Sequence, residues 1–198
     1  MSQLATADLI LASASPRRVQ LMAQLGYEPD KIVPANIDET AYKSELPLAY
    51  AKRMADEKAS LIARTHAGAY VIGGDTVVAV GRRILPKAET EDDVRYCLSL
   101  LMGRSHRVYG GLALICPDGR KIVRSSVSHV QFKRLDKGDI NSYIAQGDWQ
   151  GKAGGYAIQG AAARFIKQIK GSYSQIMGLD LYVLSTLLTG AGYRHDKQ

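Results

Sequence analysis

Within its first 26 residues the chain passes from a short apolar run, Leu9-Ile10-Leu11-Ala12, through Ser13-Ala14-Ser15-Pro16 into a segment of helical periodicity that stops at Gly26. Ser15 and Pro16 suit the N-cap and first position of a helix, because the N–H that proline lacks would go unpaired there in any case. Val19, Met22, Ala23 and Leu25 then share one face, and Gly26 supplies the left-handed residue on which helices often close. Any fold for this chain must begin with that strand, turn and helix.

The pattern continues in kind. A second helix is predicted from Pro47 to about Arg64, with Leu48, Ala51, Ala55, Ala59 and Ile62 on one stripe and Lys58 on the same stripe. Residues 70–80 are apolar and β-branched on both sides of Gly73-Gly74-Asp75, which predicts two strand segments with a break that carries the carboxylate. Gly81-Arg82-Arg83 turns into Ile84-Leu85. Thr90 and Asp93 have capping-box spacing and open a helix that ends at Gly103. Strands over 108–116 and 121–132 flank Pro117-Asp118-Gly119 and form an antiparallel pair. Asp136 caps a short helix with Ile140, Tyr143 and Ile144, a glycine-rich segment covers 147–160, Phe165 to Ile169 reads as a strand, and Leu181, Leu184, Leu187 and Leu188 mark a last helix before a polar tail at 194–198.

A length of 198 residues suits one folding unit, or two lobes sharing a cleft, and is short for two ordinary domains. No stretch approaches the roughly 20 apolar residues that span a bilayer, and no basic region precedes the first apolar run, so a cytoplasmic protein is expected, neither secreted nor inserted in a membrane. Cys97 and Cys116 have neither paired nor metal-like spacing and read as reduced, buried hydrophobes. The net charge of +7 is spread out, with no basic run longer than Arg17-Arg18 or Arg82-Arg83. Two Phe and one Trp offer little for stacking bases, so a small anionic ligand fits better than nucleic acid.

The groups that suit such a ligand are few. Arg17 and Arg18 add two guanidinium forks to a helix N-terminus that already presents unpaired N–H groups, an arrangement suited to a polyphosphate; taken alone the motif reads more readily as a plain cap with two solvated arginines. Lys58 on an apolar stripe either meets a carboxylate or anion or snorkels at the stripe's edge. Lys87 taken alone reads as solvated, as does the loop pair Asp38-Glu39. Asp75, after two glycines at the strand break, is the better candidate for a metal-binding carboxylate, since phosphoryl chemistry commonly holds Mg²⁺ or Mn²⁺ by one or two carboxylates plus substrate oxygens. A P-loop, a zinc-ligand spacing and a GxSxG nucleophile are all absent.

From Leu9 nearly to the end, the ordered pieces Leu11-Ala12-Ser13-Ala14-Ser15-Pro16-Arg17-Arg18, Ile37-Asp38-Glu39, Glu57-Lys58-Ala59, Gly73-Gly74-Asp75-Thr76-Val77-Val78, Leu85 to Lys87, Gly103 to Val108, residues 151–160 and Gly171-Ser172-Tyr173-Ser174 resemble the Maf family of nucleotide pyrophosphatases. The resemblance implies an α/β fold with a long mixed β-sheet, flanking helices and two lobes around a central cleft, commonly as a homodimer. It implies a nucleoside triphosphate substrate, cut between its α and β phosphates with a divalent metal. By motif position Asp75 looks like the catalytic acid, acting as general base for water. Arg17, Thr76 and Gln159 look like substrate-selecting positions; Ser13, Arg18, Glu39, Lys58 and Lys87 look like the phosphate and metal shell, with Glu39 and Asp75 on the metal. Tyr156-Ala157-Ile158-Gln159-Gly160 resembles the loop of the branch acting on dTTP and UTP, and a Gln amide suits the N3–H and O4 edge of uracil or thymine, although it can also turn to suit cytosine. The chain departs from the family in reading Pro86-Lys87-Ala88 where Gly-Lys-Pro is frequent, Val108-Tyr109-Gly110 where Val-x-Thr is frequent, and Gly74 where alanine is usual. Two rival readings stand beside this one: a pyrophosphatase for purine or modified nucleotides, and a nucleotide sensor that binds without turnover.

Overall fold

The computed structural model describes residues 7–193, so the polar tail at 194–198 lies outside the described residues. The elements run in the order β1 (Leu9–Leu11), α1 (Pro16–Gln24), β2 (Lys31–Ile32), α2 (Pro47–Ala63), β3 (Tyr70–Val80), β4 (Arg83–Ile84), β5 (Lys87–Ala88), α3 (Glu91–Leu101), β6 (Ser105–Ile115), β7 (Lys121–Phe132), α4 (Lys137–Gln146), β8 (Lys152–Ala153), a 3₁₀ turn (Ala161–Phe165), β9 (Ile166–Lys170), α5 (Tyr173–Met177) and α6 (Leu181–Gly190). Seven strands form one sheet in the order β2-β1-β3-β6-β7-β9, with β4 added beside β3; β5 and β8 make a separate two-stranded ladder. β1 is parallel to β2 and β3, and the remaining pairs are antiparallel, so the sheet is mixed.

The long strands hold the molecule together because alternate residues serve different helices. On one face Ile10, Ala12, Val71 and Ala113 pack on Ala55, Ala59 and Ile62 of α2. On the other, Leu9, Leu11, Ile72, Leu112 and Leu114 pack on Leu21 and Met22 of α1 and on Leu184, Leu187 and Leu188 of α6. Further along, Val78, Val108, Val130 and Phe132 pass into a third cluster with Val94, Leu98 and Leu101 of α3 and with Tyr143, Trp149, Tyr156 and Phe165. β3 therefore runs from one apolar cluster into another, and Asp75 and Thr76 lie where it crosses.

The expected break in residues 70–80 is corrected: β3 is continuous through Gly73-Gly74-Asp75, paired in unbroken register with β6 from Val71↔Ile115 to Ala79↔Arg107. The glycines serve clearance instead. A methyl on Gly73 would collide with Ala55 O and stand 2.8 Å from Ala59 N, and one on Gly111 would strike Ala51 O, so α2 lies directly on the backbone of β3 and β6. A methyl on Gly74 would come 3.3 Å from Arg18 Nε. Thr90 and Asp93 form the expected capping box, and Asp136 forms another with Asp139.

Candidate active site

A cleft of about 640 Å³ opens where α1, the middle of β3 and the β5–β8 ladder face one another, a size that suits a small organic ligand. Ser13, Arg17, Arg18, Glu39, Lys58, Asp75, Thr76 and Lys87 all line it. Gln159 does not: it is exposed, in the turn after buried Ile158. Cys97 and Cys116 are free and buried.

The lining groups come from several elements, with Arg17 and Arg18 on α1, Lys58 on α2, Asp75 and Thr76 on β3 and Lys87 on β5. Pro16 starts α1 after the short turn that follows β1; the N-cap Ser15 side chain makes no capping bond, and the Ser15 carbonyl takes the Arg18 N–H at 3.1 Å. Ser13 Oγ instead receives the Ser15 N–H at 3.2 Å and Arg18 Nη1 at 2.8 Å. Arg18 is only 9% exposed, and its Nε donates to Gly178 O at 3.0 Å. Thr76 Oγ1 donates to the same carbonyl at 3.3 Å. Burial lowers the Arg18 guanidinium pKa from its ordinary value, against the opposite pull of Asp75, and burial lowers that of Arg17 too.

Lys58 is the hub on the other face of β3. Lys58, 6% exposed on the apolar stripe of α2, brings its ammonium to Asp75 Oδ1 at 2.7 Å and to Glu39 Oε1 at 2.7 Å. Glu39 Oε2 takes Lys87 at 2.6 Å, so this one carboxylate joins α2 to the β5–β8 ladder across the cleft. Burial pulls the Glu39 carboxyl up, but hydrogen bonds from Lys58 and Lys87 outweigh it and hold the pKa at about 2. Tyr50 fixes the Glu39 loop by donating to its backbone carbonyl at 2.7 Å. Burial, with Asp75 and Glu39 nearby, pushes that phenol up to about 12, so it remains a donor.

Among the described residues no three His, Cys, Asp or Glu side chains converge as a metal site. The donors present are the two carboxylates that share Lys58. That pair suits a hard divalent cation completed by phosphate oxygens, and fits it poorly for an all-protein cage. Asp75 Oδ1 is taken by Lys58, and Oδ2 makes no hydrogen bond among the described residues.

Sequence reasoning missed Gly178, whose carbonyl ties Arg18 and Thr76 together, because a backbone acceptor 160 residues from Arg18 leaves no local pattern. It also missed Gln175 of α5. This amide fills the space that a side chain at Gly110 would need: a methyl there would come 2.9 Å from Gln175 Cγ, which accounts for the departure at position 110.

The sequence pattern of the Maf-like protein family matches residues 8–191. A dTTP/UTP pyrophosphatase of Caulobacter vibrioides is 55% identical over 186 residues, covering 94% of this chain and 96% of that protein. Another of Rhodospirillum rubrum is 55% identical over 186 residues, covering 94% and 89% respectively. Among solved structures, a HAM1 protein from Coxiella burnetii superposes with a TM-score of 0.52 at 16% identity, covering 93% of this chain and 99% of that one, a likeness of fold.

Proposed function

This chain belongs to the Maf-like protein family, and on that premise we propose that it hydrolyses dTTP and UTP to the monophosphate and pyrophosphate in the cleft between its lobes. The observation that carries the reading is the joining of Asp75 and Glu39 by Lys58 within a cleft that Arg17, Arg18 and Lys87 also line. A binder alone needs the cations. The paired carboxylates suit turnover.

In the reaction a water attacks the α-phosphorus, its proton passes to the Asp75 carboxylate, the bond from that phosphorus to the α–β bridging oxygen breaks, and pyrophosphate leaves. Arg17, Arg18, Lys58 and Lys87 offset the negative charge that builds on the phosphate oxygens. Ser13, accepting from Arg18, holds that guanidinium in place, and Gly178 O holds Arg18 and Thr76 at a fixed separation. A divalent cation, Mg²⁺ or Mn²⁺, held by Glu39 and Asp75, would supply further neutralisation of the phosphate charge. Arg17 and Thr76 are substrate-selecting groups that line the cleft; Gln159, in the exposed turn outside that lining, is the third such position. The reading includes a homodimer working in the cytoplasm, and sedimentation tests the former.

A panel of dTTP, UTP, CTP, GTP and ATP with pyrophosphate detection tests the function, with dTTP and UTP expected to have the highest kcat/KM. Asp75→Asn should retain triphosphate binding and lose roughly 10² to 10⁴-fold in kcat, the usual range for a general base. A variant as active as its parent removes Asp75 from the role.

A further inference from the structure

Five cations line the cleft, Arg17, Arg18, Lys58, Lys87 and Lys152, against two carboxylates, Glu39 and Asp75. Most of that charge has a protein partner. Lys58 spans both carboxylates, Lys87 meets Glu39, and Arg18 is tied to Ser13 and Gly178. Arg17 makes no hydrogen bond or ion pair among the described residues, and Lys152 Nζ donates only to the Gln150 carbonyl, at 2.9 Å. Two cations thus face one cleft with no carboxylate bonded to either, an arrangement whose electrostatic cost an incoming polyanion removes.

Lys152 is also fixed in place. The β5–β8 ladder pairs it with Ala88 and sets Lys87 opposite Ala153, so the two lysines stand on adjoining steps of one ladder. Gly151 N donates to Ala88 O and Gly154 N to Pro86 O, each at 2.9 Å, and both glycines adopt left-handed φ values, +64° and +66°, that L side chains rarely adopt. Its backbone is held from both sides, leaving only the side chain to swing. Burial, and after it the positive charge of Arg17, pushes the Lys152 ammonium pKa down, against the pull of Asp148 and Glu89.

We propose that Lys152 is a further substrate-binding residue, gripping the pyrophosphate end of the triphosphate together with Arg17. This rests on the reading of the cleft as a nucleoside triphosphate site. With the α-phosphorus beside Asp75 on β3, the ladder lobe that carries Lys87 and Lys152 is left to hold the β and γ phosphates, and the free charge on Arg17 and Lys152 meets the part of the substrate with the most negative charge.

The test is steady-state kinetics of Lys152→Met and Lys152→Arg with UTP, using inorganic pyrophosphate and UMP as product inhibitors and thermal melting as the folding control. Loss of a charge-assisted contact is expected to raise KM and the pyrophosphate inhibition constant by about tenfold or more in Lys152→Met. The UMP constant should stay within about twofold, and Lys152→Arg should lie within about threefold of the parent. Should the Met variant melt early, Lys152→Gln, which keeps a polar head without charge, carries the same expectation. A folded variant with parental KM overturns the inference, as does an equal rise in both inhibition constants. A parent that binds and cleaves no triphosphate brings down the reading of the cleft and this inference with it, whereas an active parent with an indifferent variant brings down this inference alone.

Discussion

Glu39 and His106 both titrate well below their ordinary values, in opposite settings. Glu39 sits at the cleft between two lysines and is held at about 2 instead of 4.5. His106 is buried against Phe132 and Tyr156, with Nε2 2.7 Å from the Tyr156 hydroxyl, and burial pushes it down from 6.5 to about 4. For both, the folded value lies below the unfolded one, so the unfolded chain binds protons first as pH falls, and the stabilisation is complete only above the unfolded value. Stability should therefore decline in two windows, the first between 6.5 and about 4 from His106 and the second between 4.5 and about 2 from Glu39. Urea unfolding across that range checks it: the gap between the parent and Glu39→Gln should be widest near neutrality and close toward the acid end, and a gap independent of pH removes Glu39 from the account. Lys58 was legible in the sequence as a charge on an apolar stripe, since burial forces such a group to find partners. Its partners were not legible, because Asp75 and Glu39 come from 17 and 19 residues away on separate elements.

At the scale of elements, the close approach of α2 to the sheet depends on positions without side chains. Gly73→Ala should destabilise by about 1–3 kcal/mol, the usual cost of overpacking, because the added methyl meets backbone atoms of α2 that cannot swing aside. Gly190→Ala at the end of α6 is the contrast: an added methyl meets nothing within 4 Å, and the expected change runs from neutral to a gain of up to about 1 kcal/mol. Urea midpoints of the two variants decide it, and a Gly73→Ala protein as stable as Gly190→Ala would mean that α2 slides without cost. The same glycines show where sequence reasoning stops. Local chemistry identified the start of α1, the Thr90–Asp93 capping box, the Asp136 cap and the β6–β7 hairpin, because each signal lies within a few residues of what it controls. Gly73-Gly74 was read as a strand break because conformational freedom is a local property, while clearance for a helix contributed by another segment is not. The β5–β8 ladder, two residues on each side and 64 residues apart, and the five-residue α5 are too short to show periodicity.

For the molecule as a whole, the formal charge of +7 is not uniform in effect. The cleft lining alone carries a surplus of three positive charges, five cations against two carboxylates, inside a concave surface that concentrates their field. A triphosphate approaching from solvent is drawn by this surplus before it makes any contact, and mobile ions weaken that attraction. The screening length falls from about 10 Å at 0.1 M salt to about 3 Å at 1 M, from roughly the span of a cleft to the length of a hydrogen bond. With free Mg²⁺ held constant, raising NaCl from about 0.05 M to about 0.5 M should therefore raise KM for UTP several-fold. kcat should change by less than about twofold, because once the substrate is bound the salt is excluded from the contacts that act on the transition state. Lys152→Met should show a shallower dependence of log KM on log salt than the parent, having lost one of the attracting charges. A parental KM that does not respond to salt would mean that the surplus is neutralised by bound counterions, and that substrate capture depends on short-range contacts alone.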